Sequence, residues 1–288
     1  MLTHTSNDFA NDFSVEATRP KPTEIAKLHE ILPPDTPIYV SAVPTAAPEE
    51  TIVAATALRQ AGLEPIVHIA ARRLASEQSL RDLLSRLTGE AGVRRLLVIG
   101  GDIDSMGPFP DALAVIQRAR LRDFGIEEIG IGAYPEGHPR IASDRLAASL
   151  DEKIASATAQ GLRVHIISQF CFSAERVIAW LTQLRSAGIT HPVKVGLAGP
   201  TSVTALIRFA KRCGVNASLR GLMSGTASAL VGNVGPDHLI EALSAAPDRI
   251  GDVHPHYFTF GNLIDTARYA RNMAQRNATP TLAKAAAS

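Results

Sequence analysis

The chain has 288 residues, 45% of them hydrophobic and 20% charged, enough for a large buried core and far from the composition of a disordered or collagen-like chain. Lys and Arg total 29 against 28 Asp and Glu, with no charge runs, so the sequence shows no footprint for nucleic acid or a membrane surface, and a small-molecule partner is the default. The two cysteines, Cys171 and Cys213, lack the spacing of a zinc or redox motif, which excludes a disulfide scaffold and fits a reducing cytoplasm.

In chain order, the first 13 residues lack the basic start and apolar centre of a signal peptide. No stretch reaches the roughly 18 uninterrupted apolar residues of a membrane span. Residues 1–12 read as a tail, 13–274 as one catalytic domain, and 275–288, rich in Ala and Thr without apolar periodicity, as a flexible C-terminal tail. Eight β-branched or apolar runs predict strands at 13–17, 38–43, 65–70, 95–99, 128–133, 163–168, 193–197 and 253–260. Between them, 49–61, 77–87, 110–123, 142–159 and 174–187 carry apolar residues at helical spacing. Gly62, Gly125, Gly161 and Gly188 each follow such a pattern, where a left-handed residue is wanted. Repeated βα units without a GxGxxG turn predict a closed (β/α)8 TIM barrel rather than an open doubly wound sheet. Residues 221–243, between strands seven and eight, read as extra helix broken by Gly225, Gly232 and Gly235.

In such barrels the reacting groups sit at the C-terminal ends of the strands. Glu16, between Val15 and Ala17, is expected to point into the barrel mouth, where desolvation raises its pKa and suits it to donate a proton; an ion pair with Arg19 or Arg72 is the competing reading. Gly100-Gly101-Asp102 after strand four either lets the backbone approach a flat ligand or forms a plain turn capped by Asp102. The loop Tyr134-Pro135-Glu136-Gly137-His138-Pro139 is stiffened by two prolines and presents an aromatic face, a carboxylate and an imidazole; a rigid polar turn reads the same way. Gln169, with donor and acceptor beside Phe170 and Phe172, suits the edge of a heteroaromatic ring or serves as a satisfied core amide. His68, His254 and His256 show no metal-like pair spacing, so no metal site is expected. Lys194 lies at the start of strand seven, where it does not suit a Schiff base.

Five of these segments, taken in order, resemble the methylenetetrahydrofolate reductase family across residues 15–272: Val15-Glu16-Ala17-Thr18-Arg19-Pro20, His68-Ile69-Ala70-Ala71-Arg72, Gly101-Asp102, Ala133-Tyr134-Pro135-Glu136-Gly137-His138-Pro139 and Ser168-Gln169-Phe170-Cys171-Phe172. The resemblance implies a flavin-dependent oxidoreductase that interconverts 5,10-methylenetetrahydrofolate and 5-methyltetrahydrofolate, in either direction, with FAD as carrier and NADH or NADPH as co-substrate. It implies Glu16 as the acid that protonates the bridging amine nitrogen and Asp102 as a carboxylate near flavin and pterin. Gln169, Phe172 and Asn262 would meet the folate, while His68, Gly101, Asp102, Tyr134, Glu136, His138 and Lys153 would line the FAD site. Gly100 stands where the family usually has Arg, Val43-Pro44 where it has Thr-Tyr, and Asn262 where it has Arg. The glycine motivates an alternative, a non-redox, flavin-free folate-binding or partner subunit on the same barrel. Folate and nicotinamide nucleotide are the expected partners, nucleic acid and membrane are not, and a homo-oligomer is compatible with the sequence.

Overall fold

A computed structural model describes residues 9–213, 215 and 233–278. The barrel strands are β1 Ser14–Ala17, β2 Pro37–Val40, β3 Glu64–Ala70, β4 Arg95–Ile99, β5 Glu128–Ala133, β6 Arg163–Ser168 and β7 Val193–Ala198. A two-residue antiparallel pair follows, β8 Thr201–Ser202 with β9 Asn233–Val234, and then β10 Val253–Phe258 completes the barrel. All neighbours in the closed order β1-β10-β7-β6-β5-β4-β3-β2 are parallel, which makes this the expected (β/α)8 barrel. The first seven helices are α1 Pro22–Ile31, α2 Pro48–Gln60, α3 Glu77–Glu90, α4 Ala112–Ala119, α5 Ser143–Ala159, α6 Ala174–Ser186 and α7 Val203–Cys213. Helices Asp237–Ser244, Pro247–Ile250 and Leu263–Ala278 complete the described set.

All eight expected strands are present, and β4, β5 and β6 match residue for residue. Two ends differ. β2 stops at Val40 rather than at residue 43, with the Ser41 amide making a last bond to the Ala17 carbonyl before the chain turns away. β10 stops at Phe258 rather than 260, because Phe260 and Gly261 adopt positive φ values of 49° and 88° that no strand accommodates. The helix expected at 110–123 is split: Asp111 caps α4 through Oδ1, and Arg120, at φ 43°, turns the chain into a short 3-10 turn, Leu121–Phe124. The helix stops at Gly62, Gly125, Gly161 and Gly188 are where expected, at φ of 73°, 82°, 72° and 81°.

Phe9 and Ala10 are buried in the core ahead of residue 13, and the last helix runs to Ala278, past the boundary expected at Gln275. Of the extra helical segment expected at 221–243, Gly225 and Gly232 lie outside the described residues, while Gly235 precedes the helix Asp237–Ser244.

Strands buried on both faces explain why these runs are β-branched and apolar rather than alternating. Outward residues such as Ile38, Val67, Val98, Ile129, Ile166 and Val195 join the main core under the helices. The inward face is mixed. Tyr39, Ile66, Leu97 and Ile167 form an apolar plug, and a polar column runs beside it. The Tyr39 hydroxyl lies 2.8 Å from His165 Nε2, and His165 Nδ1 lies 2.7 Å from Glu128 Oε1. A carboxylate only accepts, so Nδ1 donates to Glu128, and in the neutral ring Nε2 then accepts from Tyr39. A side chain at position 130 would place Cβ 2.7 Å from His165 Nε2, so Gly130 makes the room this ring occupies.

Burial pushes the Glu128 carboxyl up, but the hydrogen bond and charge of His165, then Arg95 and Arg163, outweigh it and hold the group at about 2. A depressed folded-state value stabilises the fold above the ordinary carboxylate range and loses that contribution as pH falls toward 2. The contribution is on the order of 3 kcal/mol. We therefore expect Glu128→Gln to lower the melting temperature at pH 7 and to flatten its decline between about pH 5 and pH 2.5. Thermal melts across that range check this, and parallel curves for variant and parent would remove Glu128 from the acid response.

Candidate active site

The C-terminal strand ends form the barrel mouth, and Glu16 reaches it from β1. Ser41, the first residue after β2, donates to Glu16 Oε1 at 2.6 Å, and His256 on β10 brings Nε2 to 3.5 Å from Oε2. The other ring nitrogen of His256 lies 2.9 Å from Ser14 Oγ. The side chain of Glu16 keeps 16% exposure, while His256 and Ser14 have none.

These partners correct two expectations. Neither arginine pairs with Glu16: Arg19 bridges to Glu50 at 3.3 Å, and Arg72 Nε donates to the Pro110 carbonyl at 2.8 Å. Nor does burial win. It pushes the Glu16 carboxyl up, but the His256 hydrogen bond, the nearby imidazoles of His68 and His256, and the Ser41 hydroxyl together hold it below its usual range. The resting group is an ionised carboxylate accepting at both oxygens.

His68 on β3 lies across the same interior, its ring edge-on to Tyr39 at 6.1 Å. Its Nε2 is buried and has no hydrogen-bond partner among the described residues. Burial lowers its pKa despite the opposing pull of Glu16, which leaves a neutral ring able to donate or accept.

Beyond β4, Gly101 takes φ 94° as the turn reading requires, with its Cβ position 3.6 Å from Ala70 Cβ. Asp102 is exposed and pairs with Arg73 at 3.2 Å, so this carboxylate is tethered to the turn after β3. After β5, the Tyr134 and His138 rings meet edge to face at 5.0 Å, and Gly137 at φ 79° closes the turn between them. His138 Nδ1 accepts the Arg140 amide at 3.2 Å; partial burial, then Arg140 and Arg72, lower its pKa. Glu136 accepts from the buried thiol of Cys171 at 3.0 Å, which ties this loop to the one after β6.

Gln169 stands half-buried at the end of β6, its Oε1 accepting the Phe170 amide at 3.1 Å. Phe172 is buried in an apolar cluster with Phe170, Ala198 and Leu206. Asn262 donates to the Pro200 carbonyl at 3.3 Å and bridges the loops after β7 and β10. Lys153 belongs to α5, where burial lowers its pKa against the opposing charges of Asp111 and Glu152.

Sequence reasoning missed Ser14, Ser41 and Arg73, and it weighed His256 as a metal candidate. For Ser41 the signal is hidden because a strand expected to run to residue 43 puts it inside the strand, whereas β2 ends at Val40 and leaves it at the mouth. For His256 the signal was its place one strand pair from Ser14, which only the closure of β1 on β10 reveals.

A flat aromatic cofactor needs room and edge donors. A Cβ at Gly100, Gly132, Gly137 or Gly261 would meet nothing within 4 Å, and the orphaned His68 nitrogen supplies an unused polar group nearby. These features fit a flavin. No group of three or more His, Cys, Asp or Glu is placed to hold a metal, and no helix is long and apolar enough to cross a membrane, both among the described residues.

Comparison with known proteins agrees with this geometry. Residues 14–223 match the family model described as methylenetetrahydrofolate reductase. A 5,10-methylenetetrahydrofolate reductase of Pectobacterium carotovorum subsp. carotovorum is 27% identical over 156 residues, covering 54% of this chain and 50% of that protein. Methylenetetrahydrofolate reductase 2 of Saccharomyces cerevisiae is 25% identical over 169 residues, covering 56% of this chain and 28% of that protein. The chain thus spans half or less of the length of these curated relatives. Among solved structures, dihydropteroate synthase from Thermus thermophilus aligns over 94% of this chain and 95% of its own at 15% identity and a TM-score of 0.47, a likeness at which neither substrate nor mechanism transfers. With a family model matched across β1 to β7 and beyond, the chain belongs to the methylenetetrahydrofolate reductase family.

Proposed function

We propose that this barrel catalyses the interconversion of 5,10-methylenetetrahydrofolate and 5-methyltetrahydrofolate, with FAD bound at the mouth and a nicotinamide nucleotide, NADH or NADPH, as the other redox partner. The observation that carries the reading is Glu16, an almost buried carboxylate gripped at both oxygens by Ser41 and His256 at the strand ends of a barrel from this family. The reaction needs one proton delivered to a ring nitrogen of the folate and one flat surface beside it. When bound, the flavin supplies hydride transfer.

The remaining work falls to side chains of this chain. Glu16 delivers the proton to the bridging amine nitrogen, which opens the methylene ring. Its resting ionised state means that the proton arrives only when substrate covers the mouth, excludes water and so favours the neutral carboxyl. The Gln169 amide offers its donor and acceptor to the pterin edge, and the half-exposed Tyr134 and His138 pair forms a wall of the cofactor site together with His68 and the Gly101 turn. Asp102, steadied by Arg73, lies beside that turn and presents negative charge to the bound rings. The word reductase describes the direction toward the methyl compound, but nothing in a proton donor prefers one direction, so methyl oxidation is open to the same residues.

Purified protein is expected to carry, or to bind on titration, one FAD, seen as an absorbance band near about 450 nm. A colourless protein that leaves the FAD spectrum unchanged while still binding folate would favour the flavin-free folate-binding reading. Gly100, whose Cβ position is open space, is the feature behind that second reading.

A further inference from the structure

Outside the barrel, between α3, α4 and the turn Leu121–Phe124, lies a cavity of about 220 Å³ that the reaction proposed above does not use. Leu80 and Leu84 of α3, with Phe109 and Phe124, give it an apolar lining. The chain builds it by breaking α4 early. Arg120, at φ 43°, ends the helix, and the turn that follows brings Asp123 and Phe124 to the cavity wall. Three arginines and two carboxylates surround the apolar space. Arg81 bridges to Glu77 at 3.7 Å and Arg120 to Asp123 at 3.0 Å. Arg118 pairs with no carboxylate among the described residues. Its Nη1 donates to the Pro108 carbonyl at 3.2 Å, and Nε and Nη2 are left without a protein partner there.

We propose that this cavity is a second binding site, for a small aromatic monocarboxylate, and that the loop after β4 transmits its occupancy to the barrel mouth. The volume falls below the roughly 300 to 1,000 Å³ of sites for drug-sized ligands, so it admits one ring with a short substituent and not a nucleotide. Leucine and phenylalanine side chains receive the ring. Three guanidinium groups against two carboxylates leave one positive charge over, which a single negative charge on the ligand neutralises. The free Nε and Nη2 of Arg118 form the planar fork that a carboxylate accepts from at both oxygens.

The link to the mouth uses the same residues. Phe109 lines the cavity and Pro108 holds Arg118, and both belong to the loop 100–111 that carries Asp102. That loop is fastened to the turn after β3. The Met106 amide donates to the Arg72 carbonyl at 2.8 Å, and Arg72 Nε donates to the Pro110 carbonyl at 2.8 Å. A Cβ at Gly107 would collide with the carbonyl oxygens of Leu74 and Ala75, so the loop lies tight against this turn. A carboxylate that draws Arg118 into the cavity therefore pulls on Pro108 and displaces a closely packed loop as a unit, Asp102 with it. This site is independent of the folate reaction and of the flavin.

The test uses the full-length protein as purified, with its methionine methyl groups labelled with carbon-13 and followed by NMR. Met106, 63% exposed, reports on the loop, and Met273 in the last helix is the internal reference. Titration with sodium benzoate is expected to shift the Met106 signal to saturation and to leave Met273 in place. Benzyl alcohol keeps the ring and lacks the charge, whereas inorganic phosphate keeps charge and lacks the ring. Each is expected to bind at least about tenfold more weakly than benzoate, since the forked ion pair and the buried ring both contribute.

Two variants locate the site. Arg118→Gln is expected to weaken benzoate by about tenfold or more. Ala119→Phe fills the cavity from its wall while keeping Arg118, and is expected to abolish the Met106 shift. Circular dichroism melts confirm that each variant is folded, and either folded variant alone decides the outcome. Benzoate that leaves Met106 unmoved in the parent, an affinity unchanged by the variants, or phosphate binding as tightly as benzoate overturns the proposal.

Discussion

If Glu16 is the acid of the proposed reaction, Glu16→Gln is expected to lower turnover of methylenetetrahydrofolate by about 10²- to 10⁴-fold, the range for loss of a general acid, with no change in flavin binding. The substitution is nearly isosteric. The amide oxygen can still accept from Ser41, and its NH2 can face His256 Nε2, so the two contacts at 2.6 Å and 3.5 Å survive in neutral form. What disappears is a group able to carry a proton to the substrate. Steady-state turnover, normalised to bound flavin, measures the loss. Turnover close to that of the parent would return Glu16 to a structural role as the carboxylate that accepts from Ser41 beside His256. Because the barrel interior keeps its hydrogen bonds, the melting temperature is expected to move by only a few degrees, which separates lost chemistry from lost fold.

Gln169→Ala weakens folate binding by about 5- to 150-fold, the equivalent of roughly 1 to 3 kcal/mol for leaving a buried polar edge unpaired. The side chain is half-buried at the end of β6, and its oxygen already accepts the Phe170 amide at 3.1 Å. That bond orients the amide, so its nitrogen is directed rather than free to rotate. Rapid mixing of the two half-reactions decides the assignment. Slower oxidation by folate with unchanged reduction by the nicotinamide nucleotide places Gln169 against the pterin. Equal slowing of both halves, or slowing of the nicotinamide half alone, removes it from the folate side.

The barrel was readable because its signals are local. A run such as 96–99 in β4 is apolar on both faces, a glycine such as Gly161 stops the helix before the next strand, and these patterns repeat. Helix α1 escaped notice although Pro22 and Glu24 mark its start, since its ten residues carry only Ile25 and Leu28 as buried positions. The site was partly readable for a related reason. Glu16, His68 and Gln169 sit within strand patterns that point them to the mouth, whereas Ser14, Ser41 and His256 acquire meaning only through pairing across long separations. The direction of the Glu16 pKa was misjudged from sequence because burial is visible in an apolar strand, while the imidazoles that oppose it come from β3 and β10. The polar column of Glu128, His165 and Tyr39 lay hidden for the same reason, its members drawn from the neighbouring strands β5 and β6 and, across the barrel interior, from β2.

Closure of the barrel gives synthesis a direction. β1 pairs with β2 on one side, soon after both strands leave the ribosome, and with β10 on the other, Ser14 meeting His256 and Val15 meeting Tyr257. At roughly 5 to 20 residues per second, the nascent first strand waits on the order of 10 to 50 seconds for its second neighbour, with one edge bare. Until then Glu16 has its serine from the end of β2 but no imidazole from β10. Ribosome-bound chains would thus hold a nearly complete barrel in which Glu16 lacks one of its two partners, and the arrival of one late strand would seal the edge and complete the carboxylate's surroundings in a single event.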